Sequence, residues 1–169
     1  VDMGQYERRP APNNPNPRLS FSALNHAPWN GVESLLDLAR AFPNWQVDVI
    51  GQTGLEKRDD VPPNIHLHGR LTKPQYDQLM HNADIAVGTM ALHRKQMDEA
   101  CPLKVREYFA YGLPMISAYT DTDFPQGAPF MLQLPNRENN ILPHVAEIEA
   151  FVQAWKGKRV PYEAVKHVD

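Results

Sequence analysis

Ile85-Ala86-Val87, a polar run from Gly88 to Cys101, then Pro102-Leu103-Lys104-Val105-Arg106-Glu107-Tyr108-Phe109-Ala110-Tyr111-Gly112 and Leu113-Pro114-Met115-Ile116-Ser117 follow one another without a break. The first three residues are an apolar run of the kind that fills a buried parallel strand. Pro102 opens a helix at a position where a missing amide costs nothing. Val105, Tyr108 and Phe109 fall on its inward face, and Gly112 ends it. A second apolar strand follows at once. Two parallel strands need a long connection between them, and a strand–helix–strand unit supplies one.

The same alternation extends in both directions. Upstream, Arg18 to Leu24 alternates apolar and polar residues, which predicts a strand. Asn30-Gly31-Val32-Glu33 reads as a capping box, followed by Val32, Leu35, Leu36 and Ala39 at helical spacing, with Pro43 as the stop. Gln46 to Gly51 and Ile65 to Gly69 read as strands. Between that second strand and Ile85, Thr72 and Gln75 form another capping box ahead of Tyr76, Leu79, Met80 and Ala83. Downstream, Phe130 to Leu134 predicts a strand, and a helix near Pro143 presents Ile148, Phe151, Val152 and Trp155. This order predicts an α/β fold: a Rossmann-like, mostly parallel sheet with helices on both faces.

Proline density sets the expected boundaries. Arg9-Pro10-Ala11-Pro12-Asn13-Asn14-Pro15-Asn16-Pro17 tolerates neither helix nor central strand, so residues 1–17 are expected to be an interdomain linker or entry arm. Residues 18–157 then form one domain, and the charged stretch 158–169 is expected to be a peripheral tail. Seventeen basic against 20 acidic residues leave a net charge of −3, without the basic surplus that nucleic-acid binding requires. No window of eighteen residues is apolar throughout, and one cysteine, Cys101, excludes an internal disulfide framework. Val1-Asp2-Met3-Gly4 leads into charged sequence rather than an apolar leader. A cytoplasmic setting is expected, with peripheral membrane contact in the full-length protein.

In α/β sheets, ligands sit beyond the carboxyl ends of the strands, near helix N-termini. The long loop after Val87 ends at such a helix start, where free amides favour an anion. Lys104 adds a positive charge there, and Glu99 and Glu107 flank it with carboxylates that accept from hydroxyls. A diphosphate between two sugars suits that pattern. The spacing fits equally a Glu99 that decorates the helix start and a Glu107 on a solvated face. His66 and His68 share a strand face, but two ligands do not make a metal site. Cys101, just before Pro102, is expected to be structural. Of three tryptophans, Trp29 alone falls on the expected ligand face.

Glu99 to Glu107 is a Glu, seven residues and a Glu, and it runs on into Tyr108-Phe109-Ala110-Tyr111-Gly112-Leu113-Pro114-Met115-Ile116. This block resembles the signature of group 1 (family 4) retaining glycosyltransferases, roughly P-L-K-V-x-E-Y-x-A-x-G-x-P-V-I. Val47-Asp48-Val49-Ile50-Gly51 is similar to that family's V-x-I-V-G strand, and Ile65 to Leu71 to its N-V-x-F-x-G-x-V segment. Val1-Asp2, followed by Tyr6 and Pro10, resembles its V-D-x-x-x-F-x-P linker.

The resemblance implies one half of a GT-B fold, the domain that binds a nucleoside-diphosphate sugar, with the acceptor-binding N-terminal domain outside this chain. By position, Glu99 would contact the transferred sugar near its reacting carbon. The amides around Leu103, Lys104 and Val105, with the Lys104 side chain, would face the diphosphate, and Glu107 would hold the ribose. Gly69, Arg70 and Leu71 would border the base. The family needs no bound metal or cofactor. It carries an Arg and a Lys in the loop after its first strand, where this chain has Ala23-Leu24-Asn25-His26-Ala27-Pro28-Trp29-Asn30-Gly31. Asn25, His26 or Trp29 would have to replace those cations by hydrogen bonding or stacking. Two alternatives follow: a non-catalytic nucleotide- or glycan-binding module, and a sugar-nucleotide epimerase domain.

Overall fold

A computed structural model describes residues 1–169 throughout. Its main sheet has six parallel strands: β1 (Arg18–Ala23), β2 (Gln46–Gly51), β3 (Ile65–Gly69), β4 (Ile85–Val87), β6 (Met115–Ser117) and β8 (Met131–Gln133). Their spatial order is β3-β2-β1-β4-β6-β8, so the chain works outward from β1 in one direction and then returns to the other side at β4. That is the doubly wound Rossmann order. Two further strands, β5 (Glu99–Ala100) and β7 (Thr120–Asp121), pair in parallel as a separate ribbon.

Strand alternation sends Leu19 and Phe21 of β1 to one face and Ser20 to the other. The first face packs against α1 (Val32–Ala41) and α4 (Val145–Trp155), through Leu35, Leu36, Leu38, Ile148 and Val152. The opposite face packs against α2 (Lys73–Asn82) and α3 (Leu103–Tyr111), with Met80, Val105, Tyr108 and Phe109 inside. Helices therefore cover both faces, as expected from the alternation. No helix is long and apolar enough to cross a membrane.

Two local expectations need correction. The Asn30–Glu33 capping box does not form. Gly31 takes the N-cap in a left-handed conformation (φ 72°), Asn30 Nδ2 donates inside its own loop to the Asn25 carbonyl, and Glu33 accepts from Arg94 instead. Only glycine fits there, since a Cβ would stand 2.8 Å from Met90 Cβ. By contrast, the Thr72–Gln75 box is complete in both directions. Glu99 is not in an open loop but in β5.

The stretch 158–169 is not peripheral either. Val160 and Val165 are fully buried in the second core, Val165 from the short helix α5 (Tyr162–Val165). Arg159 donates to the carbonyls of His81 and Ala83, and Asp169 accepts from the Met3 amide. The arm at residues 1–17 is equally fixed. Met3 is buried in the same core, Arg8 donates to the carbonyls of Phe109, Ala110 and Val160, and His81 Nε2 lies 2.8 Å from the Glu7 carbonyl. Neither end carries an apolar period that would mark its few buried residues, Met3, Val160 and Val165.

Candidate functional site

Between β1 and β4 the chain leaves in opposite directions, and the crevice of a doubly wound sheet opens at that point. The loop after β1 leans on the loop after β4. The Met90 amide donates to the Asn30 carbonyl at 3.3 Å, the Ala91 amide to the Trp29 carbonyl at 3.1 Å, and Arg94 to the Pro28 carbonyl at 2.9 Å. On its other flank the His26 ring lies 2.7 Å from where a Cβ on Gly54 would stand. Trp29 is partly exposed, and the Lys95 ammonium sits 4.6 Å from its ring centre. Asn25 is exposed beside them.

Helix α3 points its first turn at this crevice. Tyr108, one face-repeat further along, anchors it: its hydroxyl donates to the Val87 carbonyl at 3.1 Å and accepts from the Ser22 amide at 3.2 Å. One side chain thus ties the helix to the ends of both β1 and β4. Lys104 is held in the same place. Its Nζ donates to the Ser22 carbonyl at 3.1 Å and lies 4.3 Å from the Phe21 ring centre, and it pairs with no carboxylate. Burial lowers its pKa to about 7. The first turn of α3 has no acidic residue, and Pro102 at its N-cap provides no side-chain acceptor. Of the three amides expected to face an anion, that of Val105 already donates to the Pro102 carbonyl, which leaves those of Leu103 and Lys104. Val105 itself is a core residue, whereas Leu103 is exposed.

The two glutamates stand on different supports. Glu99 is exposed on β5, paired in register with Thr120. The ribbon is held from below by Arg106, whose Nη2 donates to Asp121 Oδ1 at 2.5 Å, with Asp123 Oδ2 at 2.8 Å. Cys101 belongs to this cluster, with its Sγ 3.1 Å from Arg106 Nη2 and 3.2 Å from Asp123 Oδ2. Glu107 is half-buried, and its Oε1 accepts from the Tyr6 hydroxyl at 3.1 Å.

Gly69, Arg70 and Leu71 follow β3, two strands away from the crevice, with Arg70 exposed and 3.5 Å from Gln52 Oε1. His68 is engaged by a carboxylate. Its Nε2 lies 2.7 Å from Oδ1 of the buried Asp48, which Arg18 also holds. Burial would raise the Asp48 pKa, but donors from Arg18, His68 and Gln46 outweigh it and keep the carboxyl below its usual range. Surface depressions beside Arg18, His68 and Leu71, and beside Asn14 and Gln46, lie away from the α3 terminus. At the crevice an ammonium without a carboxylate partner and the two free amides of α3 coincide. The contacts made here by Tyr6, Ser22, Tyr108 and Lys95 join positions far apart in the chain, so no local spacing in the sequence shows them.

The sequence profile described as "Glycosyl transferases group 1" matches residues 18–156. No curated protein sequence matches the chain. Among solved structures, the C-terminal domain of a group 1 glycosyl transferase family protein (LpcC) from Francisella tularensis superposes with a TM-score of 0.60 at 14% identity. That match covers 94% of this chain and 93% of that one. HepE from Anabaena in complex with UDP-glucose gives 0.56 at 15% identity, covering 85% of this chain and 43% of that one. The GtfA/B complex gives 0.57 at 17% identity, over 88% and 30%. The chain therefore spans less than half the length of the last two.

Proposed function

Because this chain belongs to the group 1 glycosyl transferases, we propose that it is the donor-binding half of one, moving a sugar from a nucleoside-diphosphate sugar to an acceptor held by an N-terminal domain. The observation that carries this reading is Lys104: a half-buried ammonium set against the Ser22 carbonyl and the Phe21 ring, without a carboxylate, beside two free amides at the start of α3. A dianionic diphosphate supplies the charge that the site lacks.

In this reading the diphosphate lies against the Leu103 and Lys104 amides. When the sugar–phosphate bond breaks, the departing diphosphate gains negative charge, which these donors and Lys104 stabilise without a metal. Glu99, on its separate ribbon, reaches the transferred sugar. Glu107, a turn into the helix, takes the ribose, and Gly69 to Leu71 border the base. Asn25, His26 and Trp29 complete the wall on the β1 side. The work is done in the cytoplasm. HepE, a structural neighbour, is known with UDP-glucose bound, which makes uridine the first base to try.

A second reading, a non-catalytic nucleotide-binding module, is favoured by one feature: residues 23–31 contain neither Arg nor Lys. Calorimetric titration with UDP, GDP, ADP and their glucose conjugates tests the first step shared by both readings. Saturable binding of one nucleotide is expected, and a chain that binds none overturns the donor-site proposal. Joined to its acceptor domain, a chain that binds donor but transfers no sugar fits the module instead.

A further inference from the structure

Tyr6 reaches Glu107 from 101 residues away, and nothing about its setting is loose. Asp2 caps the short turn Met3–Gln5 just before it, and Met3 is buried. Just after it, the Glu7 carbonyl meets His81 and Arg8 donates to the carbonyls of Phe109 and Ala110. The ring itself packs edge-on against Tyr111, centroids 5.1 Å apart, with the Lys73 ammonium 5.0 Å from its centre. The arm is therefore nailed down on both sides of Tyr6, and its hydroxyl is delivered to one fixed point. That point is Oε1 of Glu107, at 3.1 Å, and Oε2 has no protein donor.

We propose that Tyr6 is a positioning residue for the nucleotide: its hydroxyl holds one oxygen of Glu107 so that the other is turned, already oriented, toward the ribose hydroxyls. The inference rests on the donor-site reading, and adds to it a residue that lies outside the helix signature. An unrestrained carboxylate on a helix surface samples several rotamers, and ordering it on binding costs affinity. A fixed donor on one oxygen removes part of that cost and leaves the second oxygen's lone pairs for the ligand. The ring accounts for the packing on Tyr111, and the hydroxyl for the contact with Glu107. Burial and the neighbouring carboxylate raise the Tyr6 pKa to about 12, so the hydroxyl keeps its proton and remains a donor at working pH.

Tyr6→Phe keeps the ring and removes only the hydroxyl. Titrating the whole chain with UDP and with 2′,3′-dideoxy-UDP separates positioning from general packing, with thermal unfolding as the check on the fold. Tyr6→Phe is expected to weaken UDP about fivefold, the size of one ordinary hydrogen bond, and to leave dideoxy-UDP unchanged. In a Glu107→Ala background, where the acceptor itself is gone, the same substitution should have no further effect on UDP. Equal weakening of both nucleotides, no weakening of UDP, or an undiminished effect in the Glu107→Ala background would each overturn the proposal. If the unaltered chain binds UDP and dideoxy-UDP equally, Glu107 does not read the ribose and the inference falls, while the donor site stands. If it binds neither, the donor site itself falls for uridine nucleotides and takes this inference with it.

Discussion

Lys104 Nζ donates to the Ser22 carbonyl at 3.1 Å, at the carboxyl end of β1, and no carboxylate lies beside it. A lysine that loses solvent without gaining a counter-ion binds its proton less tightly, and burial brings this one to about 7. The unfolded chain keeps an ordinary lysine near 10.4 and so binds more protons than the folded chain across roughly pH 7 to 10. Stability from this group therefore rises with pH through that window and is lost as pH falls toward 7. Lys104→Met should unfold at a higher temperature than the unaltered chain at pH 7, and the gain should shrink by pH 10. A diphosphate reverses the balance by favouring the charged form. Nucleoside-diphosphate binding at pH 8 should take up a proton, read as a dependence of calorimetric heat on buffer ionisation enthalpy, and affinity should fall as pH rises. Lys104→Met should abolish the proton uptake and weaken binding by about 1.5–3 kcal/mol.

Much of this frame is legible residue by residue. β2 and β4 read correctly because Val47-Asp48-Val49-Ile50 and Ile85-Ala86-Val87 are short, largely β-branched runs with clear ends. The Thr72–Gln75 box read correctly because both of its hydrogen bonds lie within three residues. Asn30–Glu33 has the same spacing, but Gly31 turns left-handed and the Asn side chain is used inside the loop. The ribbon of β5 and β7 is two residues wide and held by Arg106 and Asp121, 15 positions apart, so it has no local period to show. Tyr6 and Glu107 are further apart still. At the site, the Lys104 and Glu107 positions could be named from spacing, whereas what supports them could not.

The Arg106 cluster divides into a buried and an exposed half. Asp121 is fully buried and Asp123 is not, with side-chain exposures of 0% and 39%. Removing Asp121 takes away the buried partner of a guanidinium that is itself only 5% exposed and leaves it the half-exposed Asp123. Asp121→Ala should therefore approach, without reaching, the cost of about 3–5 kcal/mol for an unpaired buried charge in chemical denaturation. Asp123→Ala removes a partner that water largely replaces, and should cost under about 1 kcal/mol. Comparable losses from both would show that the cluster is more solvated than its geometry implies.

Gly51 closes β2 opposite Ala23, at the point where the β1 loop departs. Its φ is 90°, and a Cβ there would stand 1.8 Å from the Ala23 carbonyl oxygen, a backbone atom that cannot swing aside. Gly51→Ala should destabilise the chain by well over ~1 kcal/mol. Because the displaced strand end carries residues 24–31, nucleotide affinity should drop as well. Gly69→Ala is the control: its φ is also positive, at 64°, but nothing lies within 4 Å of the added carbon. It should show only the backbone strain, so a Gly51→Ala variant no less stable than Gly69→Ala would contradict the close approach.

Glu99 and Glu107 are eight residues apart but belong to different bodies, one on the β5 ribbon and the other on α3. Glu107 lies one turn beyond Lys104 on the helix, with Tyr6 behind it. A ligand whose diphosphate rests on Lys104 therefore meets the two carboxylates with different parts. If Glu107 takes the ribose, Glu107→Ala should weaken the bare nucleoside diphosphate and its sugar conjugate alike, by about 1.5–3 kcal/mol for a charged hydrogen bond. If Glu99 takes the transferred sugar, Glu99→Ala should leave the bare nucleotide within experimental error and weaken only the conjugate. If the chain is the donor half of a transferase, then joined to its acceptor domain Glu99→Ala should depress kcat more than it raises KM, as expected for a contact that strengthens where the sugar–phosphate bond is breaking. Calorimetry with nucleoside diphosphate decides the binding half without an acceptor. Equal losses from both substitutions, or none from either, would leave the division of labour between the two carboxylates without support.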